Sequence, residues 1–518
     1  MVANTGNWEI NLIKFHAKGG TIVCLDGDVA IRVRDLVDIQ GLLGAYYVPH
    51  FSSARTFLGK RSTSSFVERQ YIVPFKLLLP QGSITVLCDG EIHAQALEVL
   101  ANSGYIKGDK LIELEPAKLW QQIGPTHSKK GLVLSTSHGG YQTAAPCTFM
   151  IAENMLFETS DLGAYRDTGS QFSTGSGVEV KAGSVSVKPI ALQSKLYTRS
   201  SGLLGFSYVK STSTQEHKRH QRASYIAVSG DVIFCATSKD ITVCAITVKA
   251  PQGRGKFIAN QGKVELTQAT DEHHIITNTK SIGISFGMSD SVLHAMRGDF
   301  SQAMQSAVGE LQVAKDVKGL LNAEGVVDNG IKGILAANSI VQSLLMLKDK
   351  GLAGFLAGNL NDHLEIKFSK QHETINFTEI VGNWLLAKEI IVQSKKNLEL
   401  EAVDLSCQDL SLTTTAANIK VDGGVVNNSS YIKSIGVNVG INADSSIRFG
   451  VSSSRGSTQS TIHGISNFRI TGNAYISAIK GEVSFRNAIL EARRAYIEAL
   501  QLKLESSRDE VIEKMQSA

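Results

Sequence analysis

The side chains with types suited to catalysis or ligand binding are a few histidines, a serine–histidine–cysteine set and one charged tripeptide. His217 and His220 lie three residues apart, a spacing that could hold a metal ion on a helix. Their neighbours Lys218, Arg219 and Arg222 are cations, which would repel such an ion. This charge favours a solvated surface, and contact with an acidic glycan is the alternative.

Two other sets of side chains have suitable types but an unsuitable arrangement. His273 and His274 are adjacent, and adjacent side chains of a strand point to opposite faces, so they cannot easily hold one ion. Ser137, His138 and Cys147 have the types of a nucleophile site, but no GxSxG turn or placed carboxylate accompanies them. Phosphate-binding glycine loops are also absent. We therefore expect a non-enzyme without catalytic, cofactor-binding or metal-binding residues.

An RGD tripeptide, Arg297-Gly298-Asp299, is a possible adhesion motif of the kind that some adhesins present to integrins. Recognition requires that the tripeptide is exposed on a turn. Here it follows His294 and precedes Phe300, inside a stretch with helical spacing. We expect a chance occurrence rather than a binding site.

Composition narrows the classes to which the protein can belong. The 518 residues include 52 Lys+Arg and 48 Asp+Glu, and a net charge of +4 argues against a dedicated nucleic-acid binder. With 42% hydrophobic residues and 8 prolines the chain should fold, and 47 glycines favour strands and tight turns. No apolar run is long enough for a membrane helix, and the first residues do not resemble a signal peptide. The six cysteines form no CxxC pair and are expected to be small buried side chains.

Short strands with alternating apolar and polar residues recur along most of the chain. Residues 177–187 and 229–243 are examples. A sharper repeat joins two similar octapeptides that begin at Lys280 and Lys433, 153 residues apart. The strand blocks alternate with separators rich in serine and threonine, at residues 57–65, 210–215 and 449–457. The pattern predicts a modular chain of strand blocks and polar separators.

Two segments need separate interpretation. From 289 to 360 the apolar residues take helical spacing, which predicts short amphipathic helices inserted between strand blocks. Residues 486–518 have helical propensity, but their alternation predicts three short strands, with a helix as the alternative. The predicted domains are a strand block at 1–115, irregular repeats at 116–204, a repeat block at 205–288, the helical insert at 289–360 and a repeat block at 361–518.

The strand units resemble a known family. Residues 230–243 and 262–267 carry the pattern Gly-Asp-Val, Lys-Asp-Ile-Thr-Val and Gly-Lys-Val-x-Leu-Thr, which is similar to the haemagglutinin repeats of filamentous haemagglutinin-like proteins. This family includes two-partner-secretion adhesins and contact-dependent growth inhibition proteins of Gram-negative bacteria. The similarity is best at 205–290, extends over 380–515, and is weaker at 15–115 and 170–195.

The resemblance implies an all-β fold: a right-handed parallel β-helix, or β-solenoid, with a small inserted helical segment. Stacking coils of roughly twenty residues at about 4.8 Å would give, as an upper estimate, about twenty coils and a rod on the order of 100 Å, because the separators and residues 116–165 need not join the stack. The family's N-terminal secretion domain and its Val-Glu-Asn-Asn toxin boundary are missing from the sequence. We therefore expect an interior portion of such a protein or a truncated gene.

The function implied by the resemblance is that of a non-enzymatic extended shaft in a secreted adhesin or a contact-dependent toxin-delivery exoprotein. The shaft would display distal receptor-binding or toxin parts outside a Gram-negative cell or on its surface. Expected partners are an outer-membrane two-partner transporter and a receptor or glycan on a host or neighbouring cell, with no nucleic acid and no cofactor. The alternatives are a toxin-associated protein whose activity lies in 289–360, or an inactive truncated remnant.

Overall fold

The computed structural model describes residues 2–3, 6–56, 59–130, 132–204, 207–286, 363–442 and 447–517. This part of the chain is all-β, as predicted, and contains no helix. Its first strands are β1 (Val2–Ala3), β2 (Trp8–Lys18), β3 (Gly20–Cys24), β4 (Val29–Gln40), β5 (Leu42–Thr56), β6 (Gly59–Val73), β7 (Phe75–Cys88), β8 (Glu91–Gln95), β9 (Leu97–Gly108), β10 (Leu111–Glu115), β11 (Ala117–Lys130), β12 (Leu132–Ala145), β13 (Thr148–Ile151), β14 (Asn154–Glu158), β15 (Ala164–Thr168), β16 (Gln171–Thr174), β17 (Gly177–Ala182), β18 (Ser184–Lys188) and β19 (Ile190–Leu204). The remaining strands are β20 (Ser207–Gln221), β21 (Ala223–Ala227), β22 (Val232–Ala236), β23 (Ile241–Cys244), β24 (Ile246–Ala259), β25 (Val264–Thr267), β26 (Ala269–Phe286), β27 (His363–Val381), β28 (Asn383–Ser394), β29 (Leu398–Glu401), β30 (Val403–Cys407), β31 (Asp409–Thr414), β32 (Ile419–Asp422), β33 (Val425–Asn442), β34 (Ile447–His463), β35 (Ser466–Arg486), β36 (Ala488–Glu505) and β37 (Glu510–Ser517).

A large parallel sheet contains 26 of these strands. They fall into three series, and each strand pairs in parallel with the next member of its own series. For example, Phe149 of β13 pairs with Phe172 of β16, which pairs with Tyr225 of β21. The first series includes β13, β16, β21 and β24, the second β14, β17, β22 and β24, and the third β15, β18, β23 and β25.

One member from each series makes a unit, and twelve units follow one another along the described ranges. Burial alternates along the strands, so that Val232, Phe234 and Ala236 of β22 point inward. The inward side chains of all three series form one continuous apolar core. Within it the ring of Phe172 stacks on those of Phe149 and Tyr225, at centroid distances of 4.6 and 4.5 Å. These distances match the spacing between neighbouring strands.

The other eleven strands form an antiparallel sheet in which spatial order follows chain order, from β5 and β6 to β34 and β37. They come as hairpins, and each hairpin leaves the parallel sheet after every second unit. Neighbouring hairpins pair with each other along most of their length for β20–β26 and β27–β33. Between the described residues of β6 and β11 a single residue pair occurs, Arg69 with Gln121.

The two sheets can run side by side because they advance in step. Neighbouring strands lie about 4.8 Å apart in either kind of sheet. Two successive units of the parallel sheet therefore advance along the stack by the same distance as the two neighbouring strands of one hairpin advance across the antiparallel sheet. A module of two units and one hairpin keeps both sheets continuous.

Within each module, the passage from the first unit to the second contains a residue in the left-handed region. These residues are Gly19, Ala96, Gly169, Ala245, Ala402 and Asn487, with φ between 48° and 70°. Residues with a side chain rarely adopt this conformation. At Gly169 an added Cβ would also meet the side chain of Ile190. Three of the six positions hold alanine, so the surrounding fold rather than a glycine imposes the conformation there.

The serine- and threonine-rich separators are themselves strands, which the sequence did not reveal. Residues 210–215 lie in β20 and 449–457 in β34 of the antiparallel sheet. The repeated octapeptides occupy equivalent places, since Lys280 and Lys433 lie in the first strands of consecutive hairpins, β26 and β33. The predicted strands near the end of the chain are confirmed, because three segments of β36 pair in parallel with β35.

The described ranges contain twelve units, fewer than the upper estimate of about twenty coils, because the hairpins belong to the second sheet. The stack of these units is on the order of 50–60 Å long. The helical insert predicted at 289–360 lies outside the described residues, and the predicted domain boundaries stay a prediction.

Candidate functional site

The antiparallel sheet aligns polar side chains in files that cross its strands. Directly paired residues of antiparallel strands point to the same face, and successive residues point to opposite faces. His273 therefore lies against His217, with ring centroids 4.4 Å apart, whereas His274 bonds Asn376 on the other face. Burial and the neighbouring His273 lower the pKa of His217. The side chains of His273 and His274 thus point to opposite faces of the sheet, as predicted.

The run around His220 lies on β20 rather than on a helix. Asp271 accepts hydrogen bonds from the backbone N–H of His220 at 2.7 Å and from its ring Nδ1 at 3.1 Å. The His220 side chain is only 10% exposed, so the predicted solvated surface is wrong for this residue. Lys218 is more exposed and pairs with Glu272 at 2.9 Å.

One face of the antiparallel sheet carries files of hydroxyl groups, and we call it the hydroxyl face. Hydrogen bonds join paired side chains across the strands, at 3.1 Å between Ser211 and Thr279 and at 2.6 Å between Ser434 and Ser454. The longest file contains Ser135, Ser200, Ser211, Thr279, Gln371, Ser434 and Ser454.

The opposite face carries three neighbouring files rich in lysine and arginine, and we call it the cationic face. Its Lys and Arg residues are Lys129, Lys210, Lys280 and Lys370 in the first file, Arg199, Lys433 and Arg455 in the second, and Lys514 in the third. None of the described residues in these three files is acidic. The guanidinium carbon of Arg455 lies 5.3 Å from the ring centroid of Tyr431. The ring centroids of His372 and Tyr431 lie 6.3 Å apart.

Ser137, His138 and Cys147 do not come together. Ser137 Oγ shares a 2.6 Å hydrogen bond with Thr126, and the His138 ring lies on Tyr197. Cys147 is buried in the core, where its Sγ donates to the carbonyl oxygen of Ala94 at 3.4 Å. Burial raises the pKa of Cys147 to about 12, so its thiol stays protonated at neutral pH.

A buried polar cluster around Asp167 was missed by sequence reasoning. The Tyr225 hydroxyl and the backbone N–H of Ser170 donate to this carboxylate, which is 1% exposed. Because Tyr225 gives its hydrogen to Asp167, Tyr165 donates to Tyr225 across 3.2 Å. Burial raises the pKa of Asp167 to about 6 despite these hydrogen bonds. Tyr225 lies 58 residues away along the chain, so no local pattern could signal the cluster.

Several smaller predictions can be compared directly. All six cysteines are free, with Cys24, Cys88, Cys147 and Cys407 buried and the other two half-buried, in agreement with small core side chains. No group of three His, Cys, Asp or Glu side chains placed to hold a metal occurs in the described ranges. In the same ranges no helix is long and apolar enough to cross a membrane. Arg297, Gly298 and Asp299 lie outside them.

One part of the chain matches a known protein family. Residues 204–317 match the hemagglutinin repeat family. The chain contains a filamentous haemagglutinin-type repeat region. No curated protein and no solved structure matches the chain.

The described part of the hemagglutinin repeat contains β20, the two units built from β21 to β25, and β26. The resemblance predicted at 205–290 is thus confirmed over its whole length. The same arrangement of two units and a hairpin recurs on both sides of the match. For 15–115, 170–195 and 380–515 the resemblance itself stays a prediction.

Proposed function

We propose that this chain is part of a non-enzymatic extended shaft of a secreted bacterial adhesin or contact-dependent toxin-delivery exoprotein. The observation that carries the proposal is the continuous core shared by successive units. A single unit cannot bury its inward side chains alone, whereas stacking buries them and pairs the strand edges. A molecule stabilised in this way lengthens with each added unit, which is the property that a shaft needs.

The three series of strands support a right-handed parallel β-helix. Successive units pair in parallel in all three series, and their inward side chains meet in one core. Parallel strands joined by a crossover nearly always have a right-handed connection. We infer the same hand for the units of this chain.

The hairpins are suitable places for displaying other parts of the protein. Phe286 at the end of β26 pairs with Leu364 of β27, so residues 287–362 leave and rejoin the sheet at one end of a hairpin. A segment inserted there interrupts neither sheet. We infer that parts which meet another cell are carried at such ends, and that export uses an outer-membrane two-partner transporter, as the hemagglutinin repeat suggests.

Lengthening the chain by one module tests the shaft. Residues 383–465, which hold two units and one hairpin, are duplicated in tandem, and the purified chains are compared by small-angle scattering and electron microscopy. We expect a rod that grows by about 10 Å without becoming wider. A particle that widens, or that keeps its length, would contradict the shaft.

Export needs a separate test. The chain is fused behind a two-partner secretion domain and co-expressed with the matching transporter in a Gram-negative host. Protease added to intact cells should digest the fused chain, and removal of the transporter should protect it. A chain that stays protected with the transporter present would refute the secreted role, whatever its shape.

A further inference from the structure

We propose that His217 and His273 together bind one divalent transition-metal ion of the kind that prefers imidazole ligands, such as Zn²⁺, Ni²⁺ or Cu²⁺. The bound ion links β20 to β26, the strands at which two consecutive hairpins of the antiparallel sheet pair. Imidazole is a suitable ligand for all three ions. A shaft needs only reach and stiffness, so this metal site goes beyond the proposed function and can fail independently of it.

The two histidines are direct partners across neighbouring strands. His217 of β20 pairs with His273 of β26, so both side chains leave the sheet on the same side, that of the hydroxyl face. Their ring centroids lie 4.4 Å apart. Two imidazoles on one tetrahedral ion, with metal–nitrogen bonds of about 2.0–2.1 Å, have ring centroids about 5 Å apart. A small rotation of the side chains therefore brings one nitrogen of each ring onto the same ion.

The ring nitrogens of this pair are available to a ligand. Neither ring makes a hydrogen bond to another described residue, and the contacts of the two rings are with each other and with the ring of Phe377. Neighbouring histidines on the same strands are committed elsewhere, since Nδ1 of His220 bonds Asp271 and Nδ1 of His274 bonds Asn376. Each ring of the pair can give one nitrogen to the ion and leave the other to water.

The charges around the pair favour a cation more than the sequence suggested. Lys218 argued against a metal site, but it points to the opposite face of the sheet, where it pairs with Glu272 at 2.9 Å. Two positions from the pair along the same strands and β27, the charged residues of the described chain are Arg219, Asp271 and Glu379. Two carboxylates thus outnumber one guanidinium, and this balance attracts a metal ion.

Protons compete with a metal ion for this pair. The ion binds the neutral form of imidazole, so metal affinity depends on pH. Burial and the neighbouring His273 lower the pKa of His217, which favours the neutral ring of that residue. Affinity should therefore be high near neutral pH and should fall below about pH 6, where histidine takes up its proton.

The test uses the full chain without a histidine tag, freed of metal by a chelator. Zn²⁺, Ni²⁺ and Cu²⁺ are titrated separately by isothermal calorimetry at about pH 7.5 and about pH 5.5, and Mg²⁺ is the control ion, because it prefers oxygen ligands. The variants are His217→Asn and His273→Asn. His138→Asn is the matched control, because His138 lies in the same sheet and its ring contacts Tyr197 rather than another histidine.

We expect at least one of the three transition-metal ions to bind saturably near neutral pH, and Mg²⁺ not to bind. Each single variant should bind that ion at least about tenfold more weakly, and so should the unmodified chain at about pH 5.5. His138→Asn should stay within about twofold of the unmodified chain. Absence of saturable binding, equal binding of Mg²⁺, full affinity in either single variant, or an equal loss in His138→Asn would overturn the proposal.

Circular dichroism and thermal unfolding show whether each variant folds. If an asparagine variant does not fold, His217→Gln and His273→Gln give the same comparison. Electron paramagnetic resonance of the unmodified chain with an equimolar amount of Cu²⁺ needs no variant, and its nitrogen hyperfine pattern should show two imidazole nitrogens on the ion. A pattern from a single nitrogen, or from none, would also overturn the proposal.

Discussion

The side-chain amide of Asn383 takes the place of a backbone partner for Ile246. Its Oδ1 accepts a hydrogen bond from the N–H of Ile246 at 3.1 Å. Its Nδ2 donates to the carbonyl oxygens of Thr267 at 2.9 Å and Glu401 at 3.3 Å. Asn383 is the first residue of β28, where the chain re-enters the parallel sheet after a hairpin. A buried side chain thus completes the hydrogen bonding of three segments at the point of entry.

Equivalent positions after other hairpins hold other short side chains with the same role. Ser466 accepts from the N–H of Val403 at 3.0 Å and donates to the carbonyl oxygen of Asp422 at 2.6 Å. Cys147 Sγ accepts from the N–H of Leu97 at 3.5 Å. Buried backbone groups need partners, and these side chains supply them where a hairpin interrupts the sequence of units.

Replacing Asn383 by alanine should destabilise the protein strongly. The change leaves the Ile246 N–H and two carbonyl oxygens without their side-chain partner, in a place that water does not reach. We expect the free energy of unfolding to fall by about 1–3 kcal/mol, measured by equilibrium urea unfolding. Asn11→Ala, at an exposed position, is the control and should change it by less than about 0.5 kcal/mol. Equal effects of the two changes would show that the side-chain bridge contributes nothing.

Ala245 should tolerate glycine unusually well. Its φ of 48° lies in the left-handed region, where an alanine Cβ is strained by about 1–2 kcal/mol. Glycine removes the strain but makes the unfolded chain more flexible, at a cost of about 0.4–1 kcal/mol. Ala245→Gly should therefore be neutral or stabilising by up to about 1 kcal/mol in urea unfolding. The control is Ala250→Gly, at a buried position in an extended segment of β24, which should lower the free energy of unfolding. If Ala245→Gly lowered the free energy of unfolding by a similar amount, the alanine at 245 would not be strained.

Stability should depend on pH through Asp167. Burial raises its folded pKa to about 6 from an ordinary 3.8, so the folded protein holds the proton more tightly than the unfolded chain does. The resulting stabilisation is present below about pH 4 and is lost as pH rises through 6. Between pH 4 and 7 the wild type should lose on the order of 3 kcal/mol relative to Asp167→Asn. The titratable neighbours Tyr165, Tyr225 and Cys147 stay protonated over this range, because burial raises their pKa values.

The measurement for Asp167 is urea unfolding at several pH values between 4 and 8. Asp161→Asn, at an exposed position of the same region, serves as the control and should follow the wild type at every pH. A constant difference between wild type and Asp167→Asn across this range would refute the titration of Asp167.

Removing residues 287–362 and joining β26 to β27 by a short turn should leave both sheets folded. All 18 residues of β26 pair with β27, so the hairpin is held together along its whole length. We expect a melting temperature within a few degrees of the full chain. If 289–360 is helical, the circular dichroism difference between full and shortened chains should have the shape of a helix spectrum. A difference spectrum without helical shape would refute the helical insert. Loss of cooperative melting in the shortened chain would show that the hairpin of β26 and β27 needs residues 287–362 in order to fold.

The units of the parallel sheet were largely readable from the sequence. In β22 and β25 every second residue is buried, and this alternation is a local property that residue types reveal. The strands of β36 were predicted for the same reason, against their helical propensity. The hairpins were not readable in this way. Both faces of the antiparallel sheet carry polar side chains, so alternation there does not distinguish an inner from an outer face.

The residue pattern alone predicted a repetitive all-β protein with a hemagglutinin repeat, and equivalent segments beginning at Lys280 and Lys433. The folded structure was needed to show that these segments are separated by a single strand, and that the lysines and arginines near them share one face. It was also needed to show which residues stand at the junctions, such as Ala245 in the left-handed region and Asn383 bonded to Ile246. The alternation of buried and exposed positions within a strand follows from the residue types along that strand, so it can be read locally. Register between hairpins and hydrogen bonding at junctions are set by residues that pair only after the strands have stacked.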